Sequence, residues 1–286
     1  MLIRNISDTA LLAAVYRARE TERADALFRD PFAARLAGDR GEQIARSLAF
    51  SEKNAWSWFM RTYLFDQLIA NVFERRLRPG GKSCGRRLDA RPYRLSLPAS
   101  LKVDQKSIFR TSRTTKRSRC AMRSPSCSVE RVRLDLADVE GPARTFQTAS
   151  REVQQALIIS EGLILYLTAA EVGSLATDLA AQPQTRCWLL DLCSPALVRM
   201  MQKKMGKSFE ARRRAVQVCP RRRSEFFSQF GWTPTSARSL FHAAGRAEAS
   251  AVPAELLLPL AKSEDFQSKR PWGGACLLED ASKGEG

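Results

Sequence analysis

The chain lacks the residue patterns on which metal sites, disulfide scaffolds and nucleophilic hydrolases are usually built. Its single histidine, His242, stands in an alanine-rich stretch that predicts a helix, so neither a Ser/His/Asp nor a Cys/His catalytic apparatus has support. The seven cysteines form no CxxC pair and no framework of short spacings. We therefore expect no metal site, and the cysteine usage favours reduced thiols in a cytoplasmic protein.

Long apolar runs are also missing. Hydrophobic residues make up 44% of the 286 residues, but no run approaches the roughly 20 apolar residues of a membrane-spanning helix. At the start of the chain, Asp8, Arg17, Arg19 and Glu20 interrupt any apolar segment that a signal peptide would need. We expect no membrane partner, and the length suits one large α/β domain or two small ones.

Acidic residues are scarce, with 30 Asp and Glu against 47 Lys and Arg, and the net charge is +17. The excess is confined to residues 75–94, 102–123 and 212–223, which carry +7, +7 and +6, so the rest of the chain is slightly acidic. The arginine clusters of the third window lack the interleaved aromatic residues on which bases stack. We expect no nucleic-acid partner, and a basic nucleic-acid-binding protein is only a third hypothesis.

Residues 1–73 have helical periodicity. Ser7 and Asp8 are suitable caps for a helix over 9–22, and Asp30-Pro31 predicts the start of a second helix with proline at its first position. A third helix is predicted over 54–76, because its large apolar residues recur at three- and four-residue steps.

From about residue 129 the pattern changes to short apolar strands. We predict strands at 132–136, ending at Asp135-Leu136, and at 156–160, 187–192 and 275–278. Thr168 and Glu171 form a capping box at the start of a helix that runs to about Ala181. A strand, helix, strand order of this kind predicts a parallel α/β sheet.

Two of the basic windows interrupt this order. Residues 75–87 are too basic to form a buried strand, and residues 102–128 have neither a helical nor a strand period. The second segment is therefore predicted to be a basic loop without regular structure, which is unusually long for a compact domain.

Several blocks, taken in order and spacing, resemble the S-adenosylmethionine-dependent methyltransferases related to the leucine carboxyl methyltransferases. The blocks are residues 6–10, 16–21, Arg61-Thr62 with Asp66, 88–95, Asp135-Leu136, 160–163 with Tyr166-Leu167, and 230–232. The resemblance implies a class I methyltransferase-like fold, with a doubly wound, mostly parallel sheet. It also implies an N-terminal helical cap over 1–73 and an S-adenosylmethionine-binding α/β domain over 74–286, in which 75–87, 102–128 and 212–223 are anomalous.

The same resemblance suggests which residues hold the cofactor. Gly85 would be what remains of a glycine turn after the first strand, and Asp89 lies in the loop that follows, although Asp89 and Arg91 pairing with each other is the favoured interpretation there. Asp135 and Leu136 would contact the adenine. Glu161 would face the methionine part, and Arg61 could pair with its carboxylate. No catalytic residue is assigned.

The resemblance also implies an apolar first strand and a second strand ending in an acid followed by Leu-Pro, which the basic windows do not contain. Suitable codons for residues 107–110, read one base out of frame, encode Asp-Leu-Pro, and those for 114–118 encode Tyr-Lys-Glu-Glu. We hypothesise that the three basic windows are out-of-frame translation. Genuine basic insertions are the alternative.

The implied activity is methyl transfer from S-adenosylmethionine to an oxygen of a small molecule, with a carboxylate as one candidate. Direct attack by the acceptor, without a metal or a covalent enzyme intermediate, is the expected mechanism. We expect a monomer or weak dimer. The alternative is a catalytically impaired member of the same family.

Overall fold

The computed structural model describes residues 6–47, 55–75, 82–85, 90–107, 124–133, 154–205, 223–246 and 271–283. The statements that follow concern these residues. In this part of the chain no helix is both long and apolar enough to cross a membrane.

Three helices form the N-terminal part, α1 (Ile6–Glu22), α2 (Ala33–Arg46) and α3 (Ala55–Arg75). The helices predicted over 9–22 and 54–76 are confirmed, but Ser7 and Asp8, predicted to cap the first of them, lie inside it. The second helix starts two residues later than predicted, because Pro31 belongs to a turn in which the Ala33 N–H donates to the Asp30 carbonyl. Within α2, Gly38 has a φ of 57°, which kinks the helix at a conformation that favours glycine.

Seven strands build one mixed sheet in the order β3-β2-β1-β4-β5-β7-β6. They are β1 (Lys82–Gly85), β2 (Lys102–Ser107), β3 (Ser128–Arg133), β4 (Ala156–Ser160), β5 (Thr185–Cys193), β6 (Trp232–Ser239) and β7 (Gly273–Asp280). Neighbouring strands among β1 to β5 run parallel, whereas β7 is antiparallel to both β5 and β6. The predicted α/β class is confirmed, and the sheet is mixed.

Two predictions about the basic windows are wrong. Lys82–Gly85 forms β1 between β2 and β4, and Lys102–Ser107 forms β2 between β1 and β3. Strand pairing uses main-chain N–H and C=O groups that all these residues possess, so it does not require an apolar run. The buried Val103 of β2 and Leu101, just before the strand, pack with Cys127. Two apolar residues at a two-residue spacing are too few to be recognised as a strand in the sequence.

Strands β4, β5 and β7 are predicted correctly, and they carry the core on both faces of the sheet. On one face Ile158, Trp188 and Leu190 pack against Val172 and Leu179 of helix α5 (Ala169–Ala180). On the other face Leu157, Ile159 and Leu189 pack against apolar residues of α3. Alternate residues of each strand therefore face opposite helical layers, as buried parallel strands require.

Short helices follow the strands. Helix α4 (Arg91–Arg94) follows β1, a single 3-10 turn (Ile164–Tyr166) follows β4, and α5 starts at the confirmed Thr168–Glu171 capping box. Helices α6 (Pro195–Met205), α7 (Arg223–Ser228) and α8 (Leu240–Arg246) were not assigned from the sequence, apart from the helical stretch around His242. Helices α1 and α2 pack with Ala90, Tyr93 and Trp58, which places them next to the loop that follows β1.

Candidate functional site

The candidate site lies where β1, β4 and β5 end, because the carboxyl ends of parallel strands meet at one edge of a sheet. Gly85 is the last residue of β1. Glu161 and Gly162 follow β4 directly, and the register pairs Ser160 with Leu190, so Glu161 comes next to Asp191. Gly162 has a φ of 60°, which a glycine adopts without strain. Its N–H donates to Asp191 Oδ1 at 2.5 Å and fixes the turn after β4 onto β5.

Eight buried side chains of alternating sign extend from this edge to the N-terminal helices. We call them the charge chain. In order they are Arg17, Asp30, Arg94, Asp66, Arg91, Glu161, Arg61 and Asp191. Their side chains are between 0% and 12% exposed, and four positive charges alternate with four negative ones.

The inner part of the charge chain holds Glu161 between two arginines. Arg61 Nε donates to Glu161 Oε1 at 3.2 Å, and Arg91 Nη1 donates to Glu161 Oε2 at 2.9 Å. Arg61 also donates through Nη1 to Asp191 Oδ2 at 3.2 Å. Because these contacts join residues of α3, α4, β5 and the turn after β4, they bring distant parts of the sequence to one place.

The outer part ties the site to the N-terminal helices. Arg91 Nε donates to Asp66 Oδ1 at 2.6 Å, and Arg94 donates to the same carboxylate. Arg94 lies 4.0 Å from Asp30, whose carboxylate accepts from Arg17 Nε at 2.9 Å. Helix α1 is thus connected to the carboxyl edge of the sheet through charged side chains.

The charged side chains of the charge chain can be buried because positive and negative charges alternate along it. A buried ion without a partner costs several kcal/mol, and a contact with an opposite charge offsets that cost. Burial by itself would lower the pKa of Arg61, but the carboxylates of Asp191 and Glu161 outweigh it and raise that pKa above its usual value. Arg61 therefore remains a cation at every physiological pH.

An aromatic ring lies next to the guanidinium of Arg61. Its guanidinium carbon lies 5.5 Å from the ring centre of Trp58, which stacks on Tyr16 at 6.2 Å. The hydroxyls of Thr9 and Tyr166 hydrogen-bond at 3.2 Å, which joins α1 to the turn after β4. Arg61 is consequently restrained by a ring as well as by two carboxylates.

Three of the six residues expected to bind the cofactor can be located. Arg61 and Glu161 are in contact, and Gly85 ends β1 at the same edge of the sheet. Asp89, Asp135 and Leu136 lie outside the described residues. Arg91 contacts Asp66 and Glu161. The expected pairing of Arg91 with Asp89 stays a prediction, because Asp89 lies outside the described residues.

Sequence reasoning gave Asp191 and Asp30 no role in the site, and it used Arg17, Asp66 and Arg94 only as parts of a family pattern. A signal for Asp191 was present, because it is an acid inside the otherwise apolar run of β5 and is buried there. An acid in such a place needs a partner. Nothing in the sequence indicates that the partner is Arg61, 130 residues earlier.

The comparison with protein families decides the identity of the chain. A family model described as leucine carboxyl methyltransferase matches residues 10–180, more than half of the chain. The chain belongs to the leucine carboxyl methyltransferase family. Seven of the eight residues of the charge chain lie within the part that the family model matches, and Asp191 lies after it.

A curated relative of this family member comes from Mycobacteroides abscessus and is described as "Putative S-adenosyl-L-methionine-dependent methyltransferase". It is 29% identical over 197 residues. The match covers 61% of this chain and spans 61% of that relative's length.

Among solved structures, a DUF574 family protein from Streptomyces avermitilis superimposes with a TM-score of 0.52. The two are 11% identical, and 92% of this chain and 95% of that chain are covered. The cyclopropane synthase MmaA2 from Mycobacterium tuberculosis gives a TM-score of 0.40 at 12% identity, over 94% and 98% of the two chains. The first likeness supports the fold of this family member at the level of its α/β architecture.

Proposed function

We propose that this protein is an S-adenosylmethionine-dependent methyltransferase that acts on an oxygen of a small molecule, with a carboxylate oxygen as the first candidate. Family membership and the description of the Mycobacteroides abscessus relative support the reaction class. The observation that carries the proposal is the buried contact between Arg61 and Glu161 at the carboxyl edge of the sheet.

This pair matches the chemistry of the cofactor's amino-acid end. That end is a zwitterion, with an ammonium group and a carboxylate on the same carbon atom. A carboxylate such as Glu161 accepts hydrogen bonds from an ammonium group, and the planar guanidinium of Arg61 is suited to a carboxylate. The residues that are present therefore fit the group.

Other parts of the proposed site rest on the family resemblance. Gly85 would let the main chain approach the cofactor where β1 ends, which is the position at which α/β sheets bind such ligands. Asp135 and Leu136 would contact the adenine, and Asp89 would belong to the loop after β1. The proposed fold is a class I methyltransferase-like, doubly wound sheet, with the helices of residues 1–73 as a cap. The buried link from α1 to the sheet edge supports the cap.

In the proposed mechanism the protein binds and orients, because S-adenosylmethionine supplies an electrophilic methyl group on a sulfonium when it is bound. Arg61 and Glu161 would hold the amino-acid end of the cofactor and so orient it in the site. The bound cofactor would supply this methyl group to an acceptor oxygen that attacks it directly, with the cofactor's sulfur as the leaving group. Orientation of this kind contributes most of what such a site supplies. We propose no metal and no covalent enzyme intermediate.

Calorimetric binding of S-adenosylhomocysteine tests the proposal. The wild-type protein should bind it, and Glu161→Gln should weaken binding at least about tenfold, because a charge-assisted hydrogen bond contributes about 1.5 to 3 kcal/mol. Glu42→Gln is the matched control. Glu42 also pairs with an arginine, Arg19, but its side chain is 40% exposed and lies outside the charge chain. The control should bind like the wild type.

A wild-type protein that does not bind S-adenosylhomocysteine would contradict the proposal and favour the alternative of a catalytically impaired family member. The specific observation behind that alternative is the short β1. It has four residues, one of them a lysine, in the strand from which the glycine turn should follow. If the wild type and Glu161→Gln bind S-adenosylhomocysteine with equal affinity, Glu161 does not contact the amino-acid end of the cofactor.

A further inference from the structure

Asp191 is an acid in the middle of an apolar strand. It stands between Leu190 and Leu192 of β5, both buried, and its own side chain is 6% exposed. Its two oxygens have different partners. Oδ1 accepts from the Gly162 N–H at 2.5 Å, and Oδ2 accepts from Arg61 Nη1 at 3.2 Å. One carboxylate thus fixes both the turn that carries Glu161 and the arginine that contacts it.

The contacts around Arg61 and Glu161 use separate atoms. Arg61 contacts Glu161 through Nε and Asp191 through Nη1. Glu161 contacts Arg61 through Oε1 and Arg91 through Oε2. The direct Arg61–Glu161 contact can therefore open while the outer contacts to Asp191 and Arg91 remain in place.

A zwitterion that enters this opening preserves the alternation of charge. Its carboxylate would lie on Arg61 and its ammonium on Glu161, so the order becomes Asp191, Arg61, carboxylate, ammonium, Glu161 and Arg91, with signs that still alternate. No buried charge loses its counter-charge in the exchange, which avoids the main cost of moving ions in an interior. Without Asp191, Arg61 would lose both a counter-charge and its fixed position.

We propose that Asp191 is a positioning residue for the cofactor's amino-acid end, holding Arg61 and the Glu161–Gly162 turn in place when a zwitterion replaces the Arg61–Glu161 contact. The inference rests on the proposed function and adds a residue to its site. Asp191 acts through Arg61 and Glu161 and is not itself a catalytic residue.

Two ligands separate a positioning role from a merely structural one. S-adenosylhomocysteine carries the zwitterion, whereas 5′-methylthioadenosine has the same nucleoside and sulfur but lacks the amino-acid end. In Asp191→Asn, the affinity for S-adenosylhomocysteine should fall at least tenfold relative to the wild type. The affinity for 5′-methylthioadenosine should change less than threefold. Calorimetry with both ligands gives the two ratios.

Asp280→Asn is the matched control, because Asp280 is also a buried strand acid with a cationic partner, Lys283. It lies at the other end of the sheet, since β7 pairs Gly273 with Cys193 and Glu279 with Cys187. The control should leave both affinities unchanged. Asp191→Glu, which keeps the charge but displaces it, is the second variant. Its affinity for S-adenosylhomocysteine should also fall much more than its affinity for 5′-methylthioadenosine.

If the wild type binds neither ligand, the proposed function fails. If the wild type binds both and the Asp191 variants lose both to the same extent, or neither, the positioning role is wrong while the proposed function stands. If neither Asp191 variant folds, Asp191 is a structural residue and the inference is overturned.

Discussion

Single buried charges are the most sensitive residues of this protein, because each member of the charge chain neutralises its neighbours. Asp30 is the clearest case outside the candidate site. Its side chain is fully buried, pairs with Arg17 and accepts from the Phe32 N–H at 3.1 Å. Asp30→Asn should lower the free energy of unfolding by about 3 to 5 kcal/mol, since it breaks a buried ion pair by removing the charge of one partner.

Urea denaturation measures this loss, and Asp25→Asn is the control. Asp25 pairs with Arg23 at 2.7 Å, but its side chain is 58% exposed, and such pairs contribute about 0 to 1 kcal/mol. Similar losses in the two variants would mean that burial of the charge chain does not determine its contribution to stability.

Two buried glycines differ in what surrounds them. A Cβ at Gly274 in β7 would collide with the main-chain carbonyl of Arg238 in the neighbouring strand, which cannot move without breaking the β6–β7 pairing. A Cβ at Gly173 in α5 would come within 2.8 Å of the Phe230 ring, a side chain that is only partly buried and can turn away.

Gly274→Ala should therefore destabilise the protein by about 1 to 3 kcal/mol or more, the usual range for overpacking, and Gly173→Ala by less. Thermal unfolding of the two variants gives the comparison. A larger loss for Gly173→Ala would contradict the packing described for β7.

At the scale of elements, helix α5 has the best-defined start. The Glu171 N–H donates to Thr168 Oγ1 at 3.3 Å, and the Thr168 N–H donates to Glu171 Oε2 at 2.6 Å. Thr168→Ala should cost about 1 kcal/mol of stability, because it removes the cap. Thr177→Ala, the same change on the exposed face of the same helix, should cost nothing or stabilise slightly. Equal effects in chemical denaturation would rule out a capping contribution.

The end of α5 is held by a residue from the C-terminal part of the chain. Lys283 Nζ donates to the carbonyls of Ala180, Gln182 and Thr185 at 2.8 to 3.1 Å, and it pairs with Asp280. Burial by itself would raise the pKa of Asp280, but hydrogen bonds from Lys283 and Ser282 outweigh it and hold that pKa below its usual value.

A carboxyl whose pKa is lower in the folded state stabilises the fold above its unfolded pKa of about 3.9, and this contribution is lost as the pH falls through the folded pKa. The wild type should be more stable than Asp280→Asn at pH 6, and the difference should shrink towards pH 3. Denaturation curves at several pH values measure it. A difference that stays constant or grows in acid would contradict the assignment.

The sequence predicts those strands of the sheet that are packed on both faces. Strands β4, β5 and β7 are apolar because both faces of each strand are covered, and this produces a recognisable run. Strands β1 and β2 lie in basic windows, and main-chain pairing alone does not leave a sequence signal. Strand β6 alternates exposed with partly buried polar residues and contains Pro234, so it lacks a strong strand pattern as well.

At the scale of the whole molecule, the sequence predicts single residues of the candidate site but not the contacts between them. Glu161 was singled out because it is a charge between an apolar strand and a glycine, and Arg61 because of its place in the family pattern. That they contact each other depends on residues 100 positions apart, and the remaining partners of the charge chain depend on the folding of α1, α3 and α4 around the sheet edge. Local patterns do not contain such distances.

The whole-molecule fold also bears on the hypothesis of out-of-frame translation. Strand β2 ends at Ser107, and the shifted frame reads Asp-Leu-Pro from that residue onward. An acid at the end of the second strand is where a carboxylate could accept the ribose hydroxyls. We predict that resequencing the gene across codons 74–130 and 210–224 will find compensating single-base differences. An unchanged sequence would favour genuine basic insertions instead.

The central claim is that the amino-acid end of S-adenosylmethionine binds between Arg61 and Glu161, with Asp191 and Arg91 as their outer partners. A crystal structure of the protein with S-adenosylhomocysteine tests it most directly. We predict that the ligand carboxylate lies on the Arg61 guanidinium and the ligand ammonium on the Glu161 carboxylate, while the Asp191–Arg61 and Arg91–Glu161 contacts remain. A complex in which Arg61 and Glu161 still contact each other and the ligand lies elsewhere would contradict the claim.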